Sequence, residues 1–182
     1  MSIGLKRGEV AVENHQIEWE TSAKSIIDLL KNIMKNDIVD VQHIGSTSIK
    51  SICAKPIIDI VVGVNDFNDI LKHNDILEKF AMIYRGQDHE NQHLYVCGDL
   101  QNNIQTHFIH VVIFNSKEWH DYIDMRDFLN ANEEKALEYS NLKEKLAKKY
   151  PNDRIAYTNG KSRLIEEILK NAALWRKANY KI

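Results

Sequence analysis

Asp59 interrupts an apolar run, Ile57-Ile58-Asp59-Ile60-Val61-Val62, and a glycine-led polar turn, Gly45-Ser46-Thr47-Ser48, lies a short way upstream. An ionised carboxylate on a sheet face needs water, a hydrogen-bonding partner or a metal. The turn offers the hydroxyls and amides of Ser46 and Thr47 to a phosphate at a helix N-terminus, and Gly45 permits close backbone approach. Phosphoryl-transfer sites use this pairing because a carboxylate can hold a divalent metal, Mg²⁺ or Mn²⁺, against the same phosphates. The competing structural reading is an Asp on a solvated face or bonded to a neighbouring loop. The adjoining turn favours the chemical reading.

Other side chains could complete such a site. His43 precedes the turn and either contacts phosphate or holds the turn's backbone. Lys55 stands before Pro56, placed to reach the same cleft or to pair with Asp59. Downstream, "NIQTHFIHVVIF" carries His107 and His110, whose odd separation puts them on opposite faces of a regular strand. A neutral imidazole ligates transition metals or exchanges protons near neutral pH, so one of the two, or His93 on the strand before, is a candidate ligand. The competing reading of His107 and His110 is a half-buried strand residue with its nitrogens hydrogen-bonded, and that of His93 a polar residue on an exposed strand face. Arg154, Tyr157 and Lys161 fall on one face of a helix beginning near Asp153, and Arg126 is a further cation. Arginine gives bidentate phosphate contacts and lysine a point charge.

The elements that must position these residues are legible from periodicity. Residues 16–35 have the spacing of an amphipathic helix. Residues 38–43 and 57–64 read as strands, with a short helix from Ser46 to Cys53 between them. In the second strand Asp59 shares a face with Ile57, Val61 and Gly63, leaving Ile58, Ile60, Val62 and Val64 as the core-facing row. A helix from Asp66 to Phe80 follows, then strands near 83–85, 92–97 and 104–114. Asn115-x-x-Glu118 and Asn130-x-x-Glu133 resemble capping boxes opening two helices. Ala136, Tyr139, Leu142 and Leu146 line one side of the second, whose charged remainder reads as an outer face rather than a nucleic-acid patch. The chain breaks at Tyr150-Pro151 and ends in a helix in which Gly160 is a weak point. The expectation is a single α+β domain over 1–182, with a sheet part to about 115 and a helical part from 116 onward.

Composition excludes several classes. The 24 Lys and Arg against 26 Asp and Glu leave a net charge of −2, which argues against nucleic acid as a partner. No run approaches the roughly 20 apolar residues of a membrane span, and "MSIGLKRGEVAVENH" lacks a signal-peptide core. Cys53 and Cys97 form no paired motif, as expected for buried thiols in a reducing cytoplasm. No feature names a protein partner.

"HIGSTSIKSICAKPIIDIVVGV" resembles the signature of the GrpB family, and "WHDYIDMRDFLNANEEKALEYSNLKEKLAKKY" and "NDRIAYTNGKSRLIEEIL" continue the resemblance in family order. It implies a nucleotidyltransferase-like fold: a mixed β-sheet with flanking helices, the Gly-Ser turn after the first strand and Asp59 on the second. In active nucleotidyltransferases the turn holds nucleotide phosphates, and an Asp-x-Asp pair with a third, later carboxylate holds divalent metal. Gly45 and Ser46 match the turn and Asp59 the first carboxylate, but the second carboxylate's place is Val61. For the third ligand the resemblance favours His110, the histidine before the Val-Val pair. The expected function is a nucleotidyl or phosphoryl transferase with a nucleotide phosphate at the turn and a divalent metal at Asp59. The alternatives are a non-catalytic nucleotide or phosphometabolite binding module, and a metal-dependent hydrolase using Asp59 with His107 or His110. Fold alone does not choose among them.

Overall fold

The structure, a computed structural model, describes residues 3–99 and 101–179. Met1 and Ser2 of the leading stretch read above lie outside them.

Five strands form the main sheet in the order β2 (Asp40–Ile44), β3 (Ile58–Val64), β7 (His107–Ile113), β5 (Gln92–Cys97) and β4 (Met82–His89). The central pair β3–β7 is parallel and the other neighbours are antiparallel, so the sheet is mixed. The expected strand 104–114 is divided. Ile104–Gln105 (β6) pairs with Leu5–Lys6 (β1) in a separate ribbon, and only His107–Ile113 joins the main sheet.

Strand alternation distributes β3 as its sequence demands. Ile58, Ile60, Val62 and Val64 are buried under α1 (Ile17–Met34), against Trp19, Ala23, Leu30 and Met34. The opposite face is covered as well: Val61 packs with Ile44, Val112 and Trp119 beneath α4 (Lys117–Ala131). Helices α5 (Glu133–Lys149) and α7 (Ser162–Asn179) build a further core with α4 on Phe128, Ala136, Tyr139 and Ile168, while α6 (Arg154–Asn159) packs Tyr157 against Val10 and Ala147. A buried ion pair, Arg176 Nε to Asp124 Oδ2 at 2.9 Å, ties α7 to α4.

Several expected boundaries shift. The helix over 66–80 is two short ones, α2 (Asn68–Leu71) and α3 (Asn74–Lys79). The break lets Lys72 and His73 reach Asp37 at 2.7 and 2.8 Å. The segment after Gly45 makes only a single 3₁₀ turn, Ser46–Ser48. Neither expected capping box forms in its register. Ser116 caps α4 by accepting from the Trp119 amide, while Asn115 takes a left-handed turn conformation and bonds His120. Asn132 caps α5, and Asn130 stays inside α4, where its amide donates to the Ser48 carbonyl. Gly160 lies between α6 and α7 rather than within the last helix, and a Cβ there would stand 2.6 Å from Leu146.

Candidate phosphate-binding cavity

Antiparallel pairing sets Ile44 opposite Asp59, so the turn that begins at Gly45 leaves the sheet directly beside the carboxylate. Gly45 has φ +69°, and a Cβ at this position would lie 2.5 Å from Asp59 Oδ2. Both the backbone conformation and the close approach require glycine. The turn is braced from within and from α4. Ser48 Oγ donates to the Gly45 carbonyl at 2.6 Å, and Arg126 donates to the His43 carbonyl at 3.0 Å and to Gln42 Oε1 at 2.9 Å.

Turn and carboxylate open onto one cavity of about 580 Å³, between the sheet and the C-terminal helices. The sheet wall bears Asp59, Phe108 and His110; Gly45, Ser46 and Thr47 form the rim, and Tyr122 and Arg126 come from α4. His110 Nε2 lies 3.4 Å from Asp59 Oδ1, and its Nδ1 lies 3.3 Å from the Tyr122 hydroxyl. Facing them are Lys143 and Tyr139 from α5, Arg154 and Tyr157 from α6, Lys161 from the turn after it, and Lys55 from the segment before β3.

This opposing wall is cationic and poorly hydrated. Burial pushes the Lys55 ammonium down to about 7, with Arg154 and Lys161 adding to the effect. Burial likewise holds Lys143 at about 7 and Lys161 at about 8, and for Lys161 the nearby Asp59 carboxylate opposes the shift. Withdrawal from water penalises the charged form of each. Two tyrosine rings cushion the three ammoniums. Lys161 and Lys55 sit 4.5 and 5.5 Å from the centre of the Tyr157 ring, and Lys143 sits 4.6 Å from that of Tyr139. Lys143 also donates to the Cys53 carbonyl. Arg154, lowered by burial, donates to Gln105 Oε1 at 2.8 Å and lies over Phe108. Burial raises the Tyr139 phenol to about 12, a shift opposed by its hydrogen bond with Ser46.

Three expected site histidines are elsewhere. Residues directly opposite on neighbouring strands share a face; His43 pairs with Ile60, His93 with Val111 and His107 with Ile58, all in the core beneath α1. His43 Nε2 bonds Thr47 Oγ1 at 2.9 Å, so it holds the turn rather than facing the cavity. His107 is buried between the hydroxyls of Ser22 and Thr106, and His93 bonds the Tyr84 hydroxyl and packs on Phe67. Lys143 was missed on sequence, although its signal was present. It lies seven residues after Ala136, three after Ser140 and four before Ala147, which together form the buried stripe of α5.

The donor set does not fit a two-metal centre. Among the described residues no three His, Cys, Asp or Glu side chains gather as a metal-holding group; the cavity lining offers Asp59, His110 and His89, with Asp59 as its one carboxylate. Val61, at the second carboxylate's place, is sealed under Trp119 and does not line the cavity.

A mixed sheet with flanking helices, a Gly-Ser turn after its first main strand and an acid on the next is the nucleotidyltransferase-like fold. Solved structures agree at the level of fold: Cid1 with its short product ApU superposes with a TM-score of 0.53 at 10% identity, over 74% of this chain and 42% of that one. The chain belongs to the GrpB family: the family profile described as "GrpB protein" matches residues 9–171. The glutamate-rich protein GrpB of Alkalihalophilus pseudofirmus is 41% identical over 92% of this chain and 98% of its own. The UPF0157 protein YqkA of Bacillus subtilis is 29% identical over 94% of this chain, which spans 49% of that relative. The crystal structure of conserved protein GrpB from Enterococcus faecalis superposes with a TM-score of 0.83 at 29% identity, covering 91% of this chain and 99% of the other.

Proposed function

We propose that the cavity binds a nucleotide or other phosphorylated small molecule, and that its charge is met by lysine and arginine rather than by a two-metal centre. One observation carries this reading: Lys55, Lys143, Lys161 and Arg154 line a cavity in which Asp59 is the one carboxylate among the lining residues. Buried ammoniums without carboxylate partners carry a standing desolvation cost, which a polyanion relieves on binding. Ser46 adds a hydroxyl and, with Thr47, backbone amides at the rim. The free, buried Cys53 and Cys97 favour placing this activity in a reducing compartment, the cytoplasm. No helix among the described residues is long and apolar enough to cross a membrane.

A transferase reading keeps one specific support, the contact of the Gly45 bend with Asp59 on a fold shared with RNA terminal U-transferases. It requires Mg²⁺ or Mn²⁺ between Asp59 and the ligand's phosphates. Calorimetric titration of ATP, GTP and CTP, with and without Mg²⁺, separates the two. The binding reading expects affinity that survives metal removal and Asp59→Asn but falls on the order of a hundredfold in Lys161→Glu. Affinity that vanishes without Mg²⁺, and in Asp59→Asn, overturns it in favour of transfer chemistry.

A further inference from the structure

A chain of hydrogen bonds leads from the surface to His110, and each bond in it has a forced direction. Asp88, exposed at the end of β4, accepts from Gln92 Nε2 through both oxygens, at 3.1 and 3.2 Å. An ionised carboxylate only accepts, so it fixes the Gln92 amide with its NH₂ toward Asp88 and its carbonyl inward. That carbonyl, in a residue 4% exposed, lies 2.6 Å from the Tyr122 hydroxyl. Amide oxygen cannot donate, so Tyr122 commits its one proton to Gln92. The Tyr122 oxygen is then left as an acceptor toward His110 Nδ1 at 3.3 Å, and the contact is a hydrogen bond only if Nδ1 carries the ring proton.

We propose that Asp88, Gln92 and Tyr122 act as positioning residues that lock neutral His110 in the Nδ1–H tautomer, presenting the bare Nε2 lone pair to the cavity beside Asp59. Two acceptors then face each other across 3.4 Å, Nε2 and Asp59 Oδ1. Such a pair is satisfied by something that donates: a hydroxyl, an amine or a cation. A phosphate oxygen is repelled there and is drawn to the lysines instead. The sheet wall therefore selects a donor and the helical wall an anion. The fitting ligand class is a phosphorylated molecule that also carries hydroxyls, such as a sugar phosphate or a nucleotide. Only this assignment of ligand class rests on the proposed phosphate-binding function; the tautomer itself does not.

Long-range proton–nitrogen correlation spectra of the ¹⁵N-histidine-labelled protein at about pH 9, well above the ordinary range of free imidazole, test the tautomer without any ligand. The expected result for His110 is a protonated-type Nδ1 signal and a bare-type Nε2 signal. Tyr122→Phe keeps the ring that packs against Val61 and Trp119 but removes the acceptor oxygen, and is expected to shift His110 toward Nε2–H. Asp88→Ala, at an exposed position with no packing role, frees the Gln92 amide to turn over and is expected to give the same shift. A wild-type His110 already protonated at Nε2, or a tautomer unchanged in both variants, overturns the proposal. Failure of ATP to bind would instead count against the phosphate-binding reading and leave these spectra as they are.

Discussion

On the face of the sheet covered by α1, His43, His93 and His107 each give a ring nitrogen to a neutral hydroxyl, from Thr47, Tyr84 and Ser22. On the opposite face His110 turns one nitrogen to the Asp59 carboxylate, in a cavity whose other charged lining residues are lysines and arginines. Burial drives His43 and His107 down to about 4, so these rings stay neutral and structural. The residue type is the same on both sides, and the difference lies in what the face offers it. A dry core with hydroxyls makes histidine a bracket. An open carboxylate and facing ammoniums make it a candidate for chemistry.

The comparison is broken most severely by putting a second charge on the cavity face. Val61 shares that face with Asp59 but is 0% exposed, sealed by Ile44, Val112 and Trp119. Val61→Asp would restore the missing carboxylate in sequence, yet it would bury an unpaired acid in an apolar cluster. The expected cost is about 4 kcal/mol of unfolding free energy with no gain of metal binding, read by denaturant titration and by metal uptake. A stable variant that takes up Mn²⁺ would show that α4 yields and that Val61 alone stands between this fold and a metal site.

Much of this was legible in the sequence. The alternation around Asp59 separated the two faces of β3, and the spacing of His107 and His110 showed that only one could join it. Glycine at position 45 announced a bend, since its conformation and its contact with Asp59 exclude a side chain. What stayed hidden depended on contacts distant in sequence. His93 stayed a candidate beside His110 until strand register placed it beside Val111. The chain from Asp88 to His110 joins β4, β5, α4 and β7, and no local pattern links those four. Lys143 was masked by its company, because a lysine among charged neighbours reads as solvated unless the stripe of small residues on its own face is followed.

The two faces should also separate as pH changes. For His43 and His107 the folded value near 4 lies below the ordinary 6.5, so between these limits the unfolded chain binds more protons. Stability therefore falls as pH drops across that window, by a few kcal/mol in total. The lysines of the cavity act at the other end. Lys55 and Lys143 at about 7 and Lys161 at about 8, against 10.5 unfolded, make the ligand-free protein gain stability as pH rises from about 7 toward 10.5. Phosphate affinity runs the opposite way, since the anion needs the protonated amines. It should weaken by up to about tenfold per pH unit above 7 for each lysine that must take up a proton. Calorimetry with ATP in buffers from about pH 6 to about pH 9 reads this directly, and a flat profile would remove the lysines from the binding step.

The smallest effect sharpens the comparison best. His107→Gln keeps a hydrogen-bonding group facing Ser22 and Thr106 while removing the ring, and should cost about 1 kcal/mol of stability. ATP affinity should stay within about twofold, because His107 points under α1 although it sits on the same strand as His110, three residues away. The intervening sheet is a close-packed layer in which Ile58, Ile60 and Ile109 are at most 1% exposed, so loss of the His107 ring is absorbed on its own side. If binding weakened as much as stability, the faces would be mechanically coupled through β7. Removing the ring would then have moved His110 against Asp59, and the division of labour between the two faces would rest on the rigidity of one strand.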